Sequence, residues 1–104
     1  MGLAIQRDER IVRLGNYLRA LREGYGYSLR RVEEKAGELG LDIDNSQLSR
    51  YERGESLPSF GKLRILSKIY NIPLDRFVEV FEGENSRTHR EANRELLKFL
   101  YETG

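Results

Sequence analysis

The chain has 104 residues, of which 34% are charged and 38% hydrophobic, and its 18 basic and 17 acidic residues leave a net charge of +1. That size and balance suit one small folded domain and exclude a disordered tail, while the near-neutral charge means that a phosphate-binding face requires the charges to segregate in space. The chain has no cysteine, which excludes disulfides and thiolate metal sites, and no apolar run nears the ~18 residues of a membrane span.

The charged N-terminus is unlike a signal peptide, and the Met1-Gly2 start lacks the later Ser/Thr of a myristoylation signal. The expectation is a cytoplasmic protein without membrane association. The sequence has no phosphate-cradling glycine loop, metal-ligand spacing or nucleophile elbow. Its single histidine, His89, stands in a charged stretch away from any acid pair. No enzyme, cofactor or metal is therefore expected.

Taken along the chain, the pattern is helical throughout. Asp8 is placed to cap a first helix in which Ile11, Leu14, Leu18 and Leu21 recur at helical spacing, until Gly24 and Gly26 stop it. Ser28 caps a second helix with Val32, Ala36 and Leu39 on its apolar side and Glu33 and Glu34 in its early turns. Gly37 and Gly40 weaken its end. Asp44 or Asn45 caps a short third helix that carries Leu48 and Tyr51 and closes at Gly54.

After the turn "ESLP", Ser59 caps a fourth helix with Leu63, Leu66, Ile69 and Tyr70, ended by Asn71. Pro73 opens a fifth with Leu74, Phe77, Val78 and Phe81. A polar break over 83–86 precedes a capping-box pattern, Thr88 and Glu91, that opens a sixth helix to about Glu102. The expected fold is all-α: a compact five-helix bundle over 1–83, with a helix-turn-helix inside it, and an amphipathic C-terminal helix over 84–104. Ala92, Leu96, Phe99 and Leu100 line one side of that last helix, flanked by Leu97 and Tyr101. So broad an apolar stripe packs either on its own domain or on a second copy.

The residues "LGNYLRALREGYGYS" and "NSQLSRYERGESLPSFGKLRILSKIYNIPLDRF" resemble the Cro and phage-repressor type of helix-turn-helix domain. The strongest pieces are "LSRYERGESLPS" and "LRILSKIYNIPLD". The resemblance implies a sequence-specific regulator of double-stranded DNA whose third helix reads the major groove. By position, Asn45, Ser46 and Arg50 match the family's base-contacting sites, with Gln47 beside them. Their chemistry suits the task, because Asn and Gln pair with adenine through two bonds and Arg does so with guanine. A plain solvated helix face is the alternative for the same residues.

The resemblance also implies an ion pair between Arg22 and Glu52 that ties the reading helix to the scaffold. It points to Ser59 and the backbone N–H of Phe60 as phosphate contacts at the start of helix four, where a helix N-terminus suits an anion. Arg53 and Lys62 are nearby candidates, and Ser28 with Arg30 or Arg31 serves at the start of helix two. Of the two roles open to the apolar stripe of the last helix, pairing two chains as a homodimer is placed ahead of packing within one chain, and such a dimer would set two reading helices about one DNA turn (~34 Å) apart.

Two features depart from the family pattern. Leu29 stands where a DNA-contacting glutamine is common, and leucine has no hydrogen bond to offer. The link "GELGLDID" over 37–44 is about five residues long in excess and acidic, either adding a turn to helix two or forming a longer loop. Leu39, spaced to continue the Val32 and Ala36 face, favours the extra turn; Ile43 is expected to plug the core. Asp44 serves as a cap, whereas Asp42 has no role from sequence. Tyr25 and Tyr27 are expected to pack over the helix junction rather than to stack on a base. Two other readings compete with the regulator: an antitoxin-like module that binds a partner protein, and the N-terminal piece of a larger ligand-sensing regulator.

Overall fold

A computed structural model describes residues 8–83, which form α1 (Glu9–Tyr25), α2 (Leu29–Glu38), α3 (Asn45–Glu52), α4 (Phe60–Tyr70) and α5 (Leu74–Glu82). The sixth helix expected over 88–102, with Leu96, Leu97, Phe99, Leu100 and Tyr101, lies outside the described residues. Within them the fold is all-helical, and no helix is long and apolar enough to cross a membrane.

Four of the five helices begin and end at residues whose local chemistry sets the boundary. The side chains of Asp8, Ser28, Asp44 and Ser59 accept from the backbone N–H groups of Arg10, Arg31, Gln47 and Lys62 in turn, satisfying amides that have no partner inside the helix. Asp44, not Asn45, is thus the cap of α3. Four helices end in one way. A residue at positive φ (Gly26, Gly40, Gly54 or Asn71) turns the chain back, and the next N–H reaches five residues upstream. α1 passes through Gly24 and stops only at Gly26, because Gly26 is the one in the left-handed region.

The core is built from Leu14 and Leu18 of α1, Val32 and Ala36 of α2, Ile43, Leu48 and Tyr51, then Ile65, Leu66 and Tyr70 of α4 and Phe77 of α5. α1 crosses α3, α4 and α5, and α2 packs against α3 and α4. The Tyr17 ring meets Phe77 edge-on at 6.0 Å. Arg13 donates to the carbonyls of Val80 and Phe81, so an α1 guanidinium closes the C-terminal end of α5. Val78, expected on the apolar side of α5, is instead 48% exposed.

The link before α3 corrects one expectation. α2 gains no extra turn: it ends at Glu38, and Leu39 points outward at 44% exposure. The Leu39 N–H still bonds the Lys35 carbonyl, and the chain turns away one residue later, where Gly40 at φ 87 lets the Leu41 N–H reach back to the Ala36 carbonyl. Leu41 packs against the core in its place, and Ile43 is fully buried, as its spacing suggested.

Candidate nucleic-acid interface

The third helix is held on three sides. Leu48 and Tyr51 enter the core, three residues apart on one face. Glu52 is the one buried charged residue among those described, and Arg22 meets it through two bonds, Nε to Oε2 at 2.7 Å and Nη2 to Oε1 at 2.9 Å. The remaining Nη1 of Arg22 donates to the Tyr27 carbonyl at 2.9 Å. One guanidinium thus joins the end of α1, the turn before α2 and the end of α3. These hydrogen bonds to Glu52 raise the Arg22 pKa further.

A second clamp is steric and has no counterpart among the sequence expectations. Gly15 of α1 lies directly against α3, and a Cβ placed there would come within 2.3 Å of the Tyr51 carbonyl oxygen and 2.8 Å of that of Glu52. Both are backbone atoms, so the two helix axes can approach this closely only with glycine at 15. The available signal is a glycine beside Leu14 in the middle of a helix, where glycine is costly and needs a reason. On the other end, Gly54 at φ 72 sits against Val12, where a Cβ would come within 2.8 Å of its side chain.

Behind the clamp, aromatic side chains cover the junction. Tyr25 stacks on Tyr27 at 5.3 Å and on Tyr70 at 5.9 Å, and its hydroxyl donates to the Tyr70 carbonyl. Burial pushes the Tyr70 hydroxyl pKa well up, with the Glu52 charge adding to it. Lys35 lies 5.0 Å above the Tyr27 ring. Tyr25 and Tyr27 are therefore committed to packing, while the outer side of α3 and the nearby helix N-termini form one exposed polar surface.

On that surface Ser46 and Arg50, four residues apart, share the outward side of α3, and both are exposed. Asn45 is exposed at the tip, its Nδ2 donating to Glu33 of α2 at 3.1 Å. Gln47 is half-buried and sits to the side, with its backbone N–H spent on the Asp44 cap. Of the rim residues, Ser28 and Ser59 are exposed caps, Phe60 is 68% exposed, and Lys62 is half-exposed in the first turn of α4. Arg30 is exposed, whereas Arg31 and Arg53 are each engaged by an acid, Glu34 and Glu55, at 3.3 Å. Leu29 turns half-buried against the core, so it stands back from this surface. Asp42 is exposed. No group of His, Asp or Glu among the described residues is placed to hold a metal.

A clamped short helix with a polar outer side, preceded by a second helix and a turn, is the helix-turn-helix arrangement. A family model described as helix-turn-helix matches residues 18–77, and the chain belongs to that family, of the Cro type. It is 41% identical over 69 residues to a protein described as an HTH-type transcriptional regulatory protein in Pyrococcus horikoshii, and 33% identical over 70 to another in Pyrococcus furiosus. Those matches cover 66% and 67% of this chain but only 20% and 21% of the relatives' length. The DNA-binding domain of BldD from S. venezulae is similar in structure, with a TM-score of 0.57 and 31% identity over 67% of this chain and 97% of that one. A crystal structure of the DNA-binding domain of BldD gives 0.56 and 30%, covering 69% and 97%.

Proposed function

We propose that the protein is a DNA-binding transcriptional regulator that occupies a specific double-stranded operator by laying α3 in the major groove. The observation that carries this is the two-sidedness of α3: Leu48, Tyr51 and Glu52 are buried in the scaffold while Asn45, Ser46 and Arg50 face outward. Family membership supports it, as do the regulators and DNA-binding domains to which the chain is similar. Asn45 and Arg50 are the base readers, with Ser46 and Gln47 assisting. Ser28, Arg30, Arg31, Arg53, Ser59, the Phe60 amide and Lys62 hold phosphates on either side.

Two copies of the chain act on one operator in this reading, joined through the apolar stripe of 84–104. Its support is the stripe itself, Leu96, Leu97, Phe99, Leu100 and Tyr101. The protein works in the cytoplasm and has no catalytic role.

Selection of bound sequences from random duplex DNA tests the proposal. At low salt, where phosphate contacts are strongest, one motif is expected to emerge as two related half-sites about one helical turn apart. A pool that enriches no motif overturns the regulator reading. A single half-site retains it and overturns the dimer.

A further inference from the structure

The hydrogen bond from Asn45 Nδ2 to Glu33 Oε1, 3.1 Å long, joins the tip of α3 to the middle of α2 across the whole connecting link. It adds little to folding, because Asn45 is exposed and Glu33 partly so, and water competes for both groups. Its consequence is orientational. A carboxylate offers only acceptors, whereas the amide of Asn45 has two N–H donors on one side and an oxygen acceptor on the other. Glu33 thus holds the NH2 toward itself, since the flipped amide would set Oδ1 against a negative oxygen. One N–H is then taken. The other N–H and Oδ1 together make the donor–acceptor edge that complements N7 and N6 of adenine.

We infer that Glu33 is a specificity-setting positioning residue, which fixes the amide of Asn45 so that it reads adenine in duplex DNA. The inference rests on α3 being the reading helix, and it deepens that proposal. The negative charge of Glu33 also repels phosphates and the acceptor edge of guanine near the tip of α3. Glu33 therefore lowers affinity for DNA at large while sharpening the choice at one base pair, a division of effects that no purely structural contact produces.

The test compares the full chain with its E33A, E33Q, N45A and E33A/N45A variants, each checked for wild-type helicity by circular dichroism. Duplexes carrying each of the four base pairs at every position of the selected motif are titrated by fluorescence anisotropy. N45A is expected to lose the adenine preference at one position. E33A is expected to lose at least roughly fivefold of that same preference, the lower end of what a bidentate base contact discriminates, and to bind an unrelated duplex more tightly. The E33Q side chain is itself an amide and can face Asn45 with either a donor or an acceptor, so this variant falls between wild type and E33A. In the double variant, E33A changes nothing further at that position.

If E33A keeps the wild-type preference at every position while N45A loses one, the inference is overturned and the reading helix stands. Further loss at that position in the double variant also overturns it, since Glu33 then acts on the base directly. If N45A leaves every preference in place, Asn45 is no reader, and both its assignment and the role of Glu33 fall together.

Discussion

Arg22 and Gly15 do for α3 what no residue of α3 does for itself. The Arg22–Glu52 pair is nearly closed to water, with side-chain exposures of 15% and 8%, so removing one partner strands a buried charge. Arg22→Ala is expected to destabilise the fold by about 3 kcal/mol, at the lower end for a broken buried pair because the guanidinium still touches solvent. Replacing both partners, as in R22M/E52L, is expected to recover most of that stability without recovering DNA binding. Urea unfolding and a duplex titration on the same samples separate the two. Recovery of both would show that the pair carries stability alone. Gly15→Ala acts on the same helix by shape. The added methyl meets two backbone carbonyls that cannot rotate away, so α1 and α3 must part, at a cost of about 1–3 kcal/mol. Operator affinity should fall by more than the folded fraction does.

Among the elements, the helix ends were the most legible part of the sequence. Asp8, Ser28 and Ser59 stand before apolar periodicity and cap as their chemistry dictates, and Gly26, Gly54 and Asn71 turn the chain where the periodicity fails. Leu39 misled because spacing alone places it on the Val32 face, whereas the chain turns at Gly40 and Leu41 takes the place against the core, leaving Leu39 exposed. Gly15, Arg13 and Glu33 escaped for another reason: each acts through a contact with another helix, which no pattern within one helix contains.

The link gives a direct check of its assignment as a loop. Leu39→Lys is expected to leave the unfolding free energy within about 0.5 kcal/mol of wild type, as for an exposed site, while Ile43→Ala costs about 2–5 kcal/mol. Equal costs would return Leu39 to the core. At the start of α1, the hydrogen bonds and charge of Arg10 hold the Asp8 carboxyl down to about 2 from its ordinary 3.8. The ionised form is favoured by folding, so the contribution of the cap is complete above about pH 4 and is lost as pH falls through about 2. Carboxyl NMR titration should find that midpoint, and a normal value near 3.8 would contradict the cap.

For the whole molecule, the near-zero net charge sets the terms on which it meets DNA. Two of the proposed phosphate-binding arginines, Arg31 and Arg53, already face acids, so part of their attraction is spent within the chain. On the proposed mode of binding, non-specific affinity is therefore expected to be weak and discrimination to rest on α3. Lys62→Ala is expected to weaken binding to all duplexes alike and to reduce the salt slope by about 1, leaving base preference unchanged. A change in preference instead would make Lys62 a base reader.

In the proposed mode of binding, α3 enters the major groove and reads it through Asn45 and Arg50. Methylation interference at guanine N7 tests this at the atom concerned, because that group lies only in the major groove. On the selected duplex, N7 methylation of one guanine in each half-site is expected to abolish binding by the wild-type protein. The same methylation should make no difference to R50A, which has already lost the contact. Wild-type binding that is indifferent to N7 methylation but blocked by methylation of adenine N3 in the minor groove would contradict the account.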